Sequence, residues 1–251
     1  MTVTIAPDEL LHRWDRQQSA YIRHREQRFD TMLRVVERLT GPRPRVLDLA
    51  CGPGSLTALT RSRLPGSSVV ALDKDPVLVA IAADVFAADA AVRVVAGDLD
   101  EPAWVEGLGT FDAVVSSTAL HWLAPEVLAR VYFELAGLIR PGGVFLNGDH
   151  LSYDATAQPT LRRLAAEDDE ANQADTFGAG ADSWDDWWAL ATGRHEYAEA
   201  AAERERCWAG KGGPTAKVTL GYHLETLRSA GFAETGTVWQ YLDDFVVAGV
   251  R

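Results

Sequence analysis

Apolar positions recur with helical spacing near the start of the chain, at Leu10, Leu11 and Trp14, then at Phe29, Met32, Leu33, Val36 and Leu39. This predicts a helix over residues 8–39, stopped by Gly41-Pro42. Short apolar runs follow at Arg45–Leu49, Ser68–Leu72, Val92–Val95, Phe111–Ser116 and Val144–Asn147. Helical patterns lie between most of them, at 55–64, 76–88 and 125–139. Strand and helix in alternation predict an α/β fold: a doubly wound, mostly parallel sheet with helices on both faces.

The rhythm breaks after Asp149. Residues 150–216 read as helices and loops, hold four of the eight tryptophans, and close at Gly212-Gly213-Pro214. A helix over 221–230, ending at Gly231, then leads into strands over 235–241 and 244–250, with Asp243 near their turn. These two strands form an antiparallel hairpin and bring the expected sheet to seven strands. The expected organisation is an N-terminal helical arm (1–40), a core (41–149), a helical cap inserted after strand five (150–216), and a final helix and hairpin (217–251).

Composition narrows the function. The 251 residues carry 24 Lys+Arg against 36 Asp+Glu, a net charge of −12. Such a surface is a poor match for phosphate backbones, so no nucleic-acid partner is expected. No apolar run approaches the roughly 18 residues that span a bilayer, and the first residues lack the pattern of a secretory signal. Cys51 and Cys207 make neither a disulfide framework nor a metal motif. The expectation is a cytoplasmic protein, monomer or homodimer, with no membrane partner and no metal.

The richest stretch is Val46-Leu47-Asp48-Leu49-Ala50-Cys51-Gly52-Pro53-Gly54-Ser55-Leu56. A buried strand enters a glycine-rich turn that opens a helix, an arrangement shared by nucleotide sites. The spacing is not GxGxxG, and no GK[ST] follows. Asp48 heads the turn and would repel a phosphate but not a cationic ligand. Strand two ends in Asp73, an acid placed to accept hydrogen bonds from a ribose diol. Strand three ends in Gly97-Asp98-Leu99, a third acid at the carboxyl edge, where open α/β sheets bind their ligands.

These segments resemble the class I S-adenosylmethionine-dependent methyltransferases. VLDLACGPGSLT is similar to the first motif of that family, ALDKDP to the second, GDLDEP to the third, FDAVVSSTALHW to the fourth and LIRPGGVFLNGD to the fifth. The order and register match over about residues 44–149, and the closing helix and hairpin fit the same Rossmann-like fold. The resemblance implies S-adenosylmethionine as cofactor and S-adenosylhomocysteine as product. It implies that Asp48 and the backbone of Ala50, Gly52 and Gly54 hold the methionine part. Asp73 would take the ribose hydroxyls, Lys74 would flank the adenine, and Asp98 with Leu99 would sit at the adenine. Ser116 would mark the end of strand four beside the sulfonium. The fourth motif and the segment Tyr21–Arg28 resemble a small-molecule branch that includes trans-aconitate, malonyl-carrier and juvenile-hormone-acid methyltransferases. There an N-terminal arm folds over the cofactor, which implies Arg28 on its carboxylate, with Tyr21 beside it. A guanidinium suits a carboxylate.

On the acceptor side, His121 is the candidate base or orienter, also within reach of the cofactor, and Trp122 adjoins it. Its ordinary pKa lets it hold or pass a proton near neutrality. His150, beyond strand five, faces the same edge as a second catalytic or substrate-binding candidate. Trp184, Trp187 and Trp188 share one helix face. They either pack the cap onto the sheet or offer an aromatic wall to the acceptor, with Trp184 and Trp188 as the wall candidates. His223 is structural or reaches the pocket, and Trp239 is core or pocket lining. Arg204 and Arg206 alternate with Glu203 and Glu205 and read as a solvated helix face. Cys51 reads as a small packing residue. The resulting expectation is methylation of a small-molecule acceptor on oxygen or nitrogen. The alternatives are a cofactor-binding protein that does not methylate, and an enzyme acting on a peptide or other macromolecule.

Overall fold

The computed structural model describes residues 5–209 and 217–251; the expected closing turn at Gly212-Gly213-Pro214 lies outside the described residues. The chain begins with α1 (Pro7–Tyr21) and α2 (Arg25–Thr40) rather than one helix over 8–39. The break has a cause in packing. Leu10 and Trp14 belong with the side chains of α4 and α7 described below, whereas Phe29, Met32, Leu33 and Val36 pack on the sheet. One straight helix cannot serve both surfaces. The chain turns at His24, which adopts the left-handed conformation at φ 61° and sets its ring 4.6 Å from Tyr241.

The core then alternates as expected: β1 (Arg45–Leu49), α3 (Ser55–Arg63), β2 (Ser68–Asp73), α4 (Pro76–Val85), β3 (Val92–Ala96), β4 (Phe111–Ser117), α5 (Pro125–Leu138) and β5 (Ile139–His150). The segment expected to form the cap holds α6 (Pro159–Gly178), α7 (Trp184–Thr192) and α8 (Ala198–Trp208). The chain ends with α9 (Leu220–Ser229), β6 (Glu234–Tyr241) and β7 (Asp244–Val250). The sheet has seven strands in the order β3-β2-β1-β4-β5-β7-β6. The first five are mutually parallel, and β7 runs antiparallel to both β5 and β6.

Strand alternation divides the core in two. Leu47, Leu49, Val114 and Phe145 face α5 and α9, meeting Leu128, Val131, Tyr132 and Leu227. Val46, Ala113, Val115 and Leu146 face α2 and α3, meeting Phe29, Met32 and Leu56. The order reverses between β1 and β4, so the crevice beyond their carboxyl ends is the switch point of this sheet.

The cap does not pack onto the sheet, as one of the two readings had it. Trp187 and Trp188 join a third cluster with Leu10, Val77, Leu78 and Ile81, so the cap sits on α1 and α4. Trp187 is fully buried, donates its indole N–H to the Leu10 carbonyl at 3.1 Å and meets the Trp14 ring edge-on at 4.6 Å.

Candidate active site

The switch point opens into a cavity of about 680 Å³, within the range of small-molecule sites. Its floor is the turn after β1. Ala50 holds φ 57°, a strained value for a residue with a side chain. Gly54 holds φ 104°, and a Cβ there would come within 2.4 Å of Phe86. Only glycine meets both demands. Asp48 is sealed from solvent and accepts a hydrogen bond from Thr57 at 2.6 Å. Burial pushes its carboxyl up to about 7, and the charge of Asp73 adds to the rise against the pull of Thr57.

At the end of β2, Asp73 is pinned by two backbone donors: the Gly52 N–H to Oδ2 at 2.8 Å and the Asp75 N–H to Oδ1 at 2.9 Å. Each oxygen keeps acceptor capacity. Burial raises this carboxyl too. Asp75 caps α4, its Oδ1 accepting from the N–H groups of Val77 and Leu78. Lys74 lies 3.7 Å from Asp98 and 3.3 Å from Asp100.

The far end is built by β4 and β5. His121 Nδ1 stands 2.6 Å from Asp149 Oδ1, and its backbone N–H reaches Asp149 Oδ2 at 3.1 Å. The His150 N–H adds a third bond to Asp149. Burial alone would raise the Asp149 carboxyl. The charge and hydrogen bond of His121, with His150 and Arg28, overcome burial and hold the carboxyl below its ordinary value. An ionised carboxylate only accepts, so His121 Nδ1 carries the proton and Nε2 is the basic atom of the ring. The arrangement can orient an imidazole and stabilise its protonated form.

Comparison with known proteins gives this site its relatives. Residues 46–143 match the model of a family described as "Methyltransferase domain". Residues 46–143 are thus similar to a methyltransferase domain. Curated relatives of this chain include trans-aconitate 2-methyltransferase of Mycobacterium tuberculosis (strain ATCC 25177 / H37Ra), 42% identical over 94 residues, 37% of this chain and 33% of the relative. The enzyme of the same name from Mycobacterium sp. (strain KMS) is 36% identical over 140 residues, 55% of this chain and 49% of that protein. The matched stretches thus span a third to a half of those relatives. Among solved structures, an O-methyltransferase family protein from Burkholderia thailandensis superposes with TM-score 0.58 at 21% identity, covering 88% of this chain and 55% of that one. Human N-acetylserotonin methyltransferase in complex with SAM gives TM-score 0.57 at 17% identity, covering 98% and 56%. At such identities these neighbours establish the fold.

Most of the expected residues converge in this cavity. Asp48, Ala50, Gly52, Asp73, Lys74, Asp98 and Leu99 line one side. Tyr21, His121, Trp122, His150, Trp184 and Trp188 line the rest. Five do not. Gly54 shapes the turn from behind, against Phe86. Ser116 faces away, donating to the Leu49 carbonyl at 2.8 Å; its neighbours Ser117 and Thr118 line the cavity instead. Arg28 is fully buried and spent on Asp244, Ser117 and Thr118, and Arg25, one turn earlier, stands in the wall. His223 is buried under the sheet, hydrogen-bonded to the Tyr132 hydroxyl. Trp239 packs against the α2 side of the core.

Other wall residues were not anticipated: Trp14, Gln18, Arg204 and Trp208, with Asp149 behind His121. Arg204 and Trp208 are four residues apart on α8, a spacing that puts them on one helix face. The alternating charges around them masked that signal. Arg206 does remain at the surface, paired with Glu203.

Proposed function

We propose that this protein transfers a methyl group from S-adenosylmethionine to a hydroxyl or amine of a small molecule with an apolar body. The observation that carries the reading is the convergence of Asp48, Asp73, Asp98 and the His121–Asp149 pair on one cavity. The cavity fits the cofactor on its own chemistry. Asp48 and Asp73 offer acceptor oxygens to an ammonium and a ribose diol. Arg25 keeps a buried Nε with no hydrogen-bond partner, a donor available to a carboxylate. In this placement Arg25, with Tyr21 beside it, takes the role expected of Arg28.

S-adenosylmethionine, when bound, supplies a methyl group on a positively charged sulfur. The protein holds acceptor and methyl in line, which by itself lowers the barrier. Asp149 fixes the imidazole, and His121 Nε2 takes the acceptor proton. Trp122 and Trp184 stand in the wall beside the acceptor, and Ser117 and Thr118 offer hydroxyls. Cys51 and Cys207 carry thiols rather than a disulfide, which suits a reducing cytoplasmic setting. Among the described residues no helix is long and apolar enough to cross a membrane.

The curated relatives' name favours a second reading, a carboxylate acceptor. A carboxylate is already ionised and needs no base, so His121 would then be dispensable for turnover. The test is transfer of label from methyl-labelled S-adenosylmethionine into a fractionated metabolite extract, with Asp73→Ala as control. Label entering one small-molecule fraction supports the enzyme and delivers its acceptor for mass analysis. Cofactor binding with transfer only into peptide fractions, or with none, sinks the small-molecule reading.

A further inference from the structure

The cap insertion was expected to serve the acceptor, yet α8 is fastened to the cofactor side. Asp75 Oδ2 receives two donors from α8: Arg204 Nε at 2.8 Å and Trp208 Nε1 at 3.0 Å. The other oxygen of the same carboxylate caps α4, so Asp75 is held from both directions. It is buried, and its charge is matched by Arg204. Arg204 also stacks its guanidinium 3.7 Å from the Trp188 ring centre, and Lys74 Nζ lies 4.6 Å from that of Trp208. Both α8 side chains line the cavity beside Asp73 and Lys74.

The geometry points to Arg204 and Trp208 as the outer wall of the adenosine subsite. This rests on the methyltransferase reading above. The loop Asp73-Lys74-Asp75 does two tasks within three residues. Asp73 faces the ribose position, and Asp75 docks α8 next to it. An adenine ring in this crevice is a flat π-system, and an indole and a stacked guanidinium are the surfaces that hold such rings. The docking is directional: the indole N–H fixes the Trp208 ring plane, and the Nε bond fixes the Arg204 plane. Binding of a nucleoside then bridges β2 to α8.

The test is calorimetric binding of S-adenosylhomocysteine and of 5′-methylthioadenosine, which shares the adenosine half but lacks the amino-acid end. The variants are Trp208→Ala, Trp208→Phe and Arg204→Met, each with its thermal transition recorded, because Arg204→Met strands the buried Asp75 carboxylate and the two Trp208 variants keep that ion pair. Trp208→Ala is expected to weaken both ligands by the same factor, about tenfold or more. Trp208→Phe keeps a ring but loses the bond to Asp75 and falls between. Arg204→Met weakens both ligands in parallel. Unchanged affinities overturn the proposal, as does a loss confined to S-adenosylhomocysteine, which would put α8 at the amino-acid end. If the unsubstituted protein binds neither ligand, the methyltransferase reading itself fails and the adenosine subsite falls with it.

Discussion

Arg28 Nη1 lies 2.7 Å from Asp244 Oδ1, and both side chains are shut away from solvent. The pair ties α2 to the first residue of β7 across the sheet. The same guanidinium donates through Nη2 to Ser117 and Thr118, at 2.8 and 2.6 Å, at the end of β4. Thr118 is held at φ 56°. Arg28 is therefore a positioning residue that sets the wall of the cavity through its two hydroxyl partners. Gly148 makes room for it, since a Cβ there would approach Arg28 Nε to 3.0 Å.

Arg28 and Arg25 should thus separate stability from binding. Arg28→Met strands the buried Asp244 carboxylate and is expected to cost about 3–5 kcal/mol. Arg25→Met removes a wall cation that pairs with Asp15. It is expected to leave the melting temperature within a few degrees and to weaken S-adenosylhomocysteine binding about tenfold or more, the loss of one charge-assisted bond. Thermal unfolding and calorimetry on both variants check this; a stable Arg28→Met with lost affinity would reverse the assignment.

The pattern of the chain made the sheet readable because each strand is a buried apolar run with an acid or small residue at its carboxyl end. Asp48, Asp73 and Asp98 could be placed from that alone. Arg28 against Arg25 could not. The choice depends on a break at His24 that arises because two helical faces pack on different partners. Ser116 against Ser117 turns on one residue of strand register, and a one-residue change flips the face. The role of α8 was hidden for another reason. Arg204 is locally indistinguishable from its solvated neighbours, and only the fold brings Asp75 to it across 129 residues of chain.

His223 provides a test of the core. Burial pushes its pKa down to about 4, so the native protein holds it neutral beneath the Tyr132 hydroxyl. A lowered pKa means the unfolded chain binds more protons in this range. The contribution of His223 is complete above its ordinary value of about 6.5 and is lost as pH falls toward 4. His223→Ala is expected to cost about 1–3 kcal/mol from the orphaned hydroxyl alone, with the cavity added. Adding Tyr132→Phe should recover part of that loss in denaturant unfolding.

Asp48 has the opposite sign. Its carboxyl, raised to about 7 by burial, keeps its proton in the native state where the unfolded chain has lost it. Its contribution is complete below pH about 4 and is lost as pH rises through about 7. Asp48→Asn should lack that slope, so the stability difference between variant and unsubstituted protein should itself carry it between pH about 4 and 7. An ammonium placed against Asp48 favours the ionised form. S-adenosylhomocysteine should therefore bind more tightly as pH rises from 6 to 7.5 and release a proton below 7. Calorimetry in buffers of different ionisation enthalpy measures that proton directly, and its absence would move the ammonium away from Asp48.

The His121–Asp149 pair decides between the two acceptor classes. His121→Asn keeps a donor toward Asp149 but has no basic nitrogen. For a hydroxyl or amine acceptor, turnover is expected to fall about 10²–10⁴-fold, with S-adenosylhomocysteine affinity within about twofold. Asp149→Asn should follow in turnover. It removes the ionised acceptor that keeps the His121 proton on Nδ1, and it leaves a buried amide facing three donors. A carboxylate acceptor predicts something different. No proton leaves the nucleophile, so His121→Asn would turn over at nearly the unsubstituted rate across the whole pH profile. The profile is the sharper readout, because a merely structural role for His121 would lower the rate at every pH alike. Loss of an ascending limb in His121→Asn, at constant cofactor affinity, would establish the imidazole as the base.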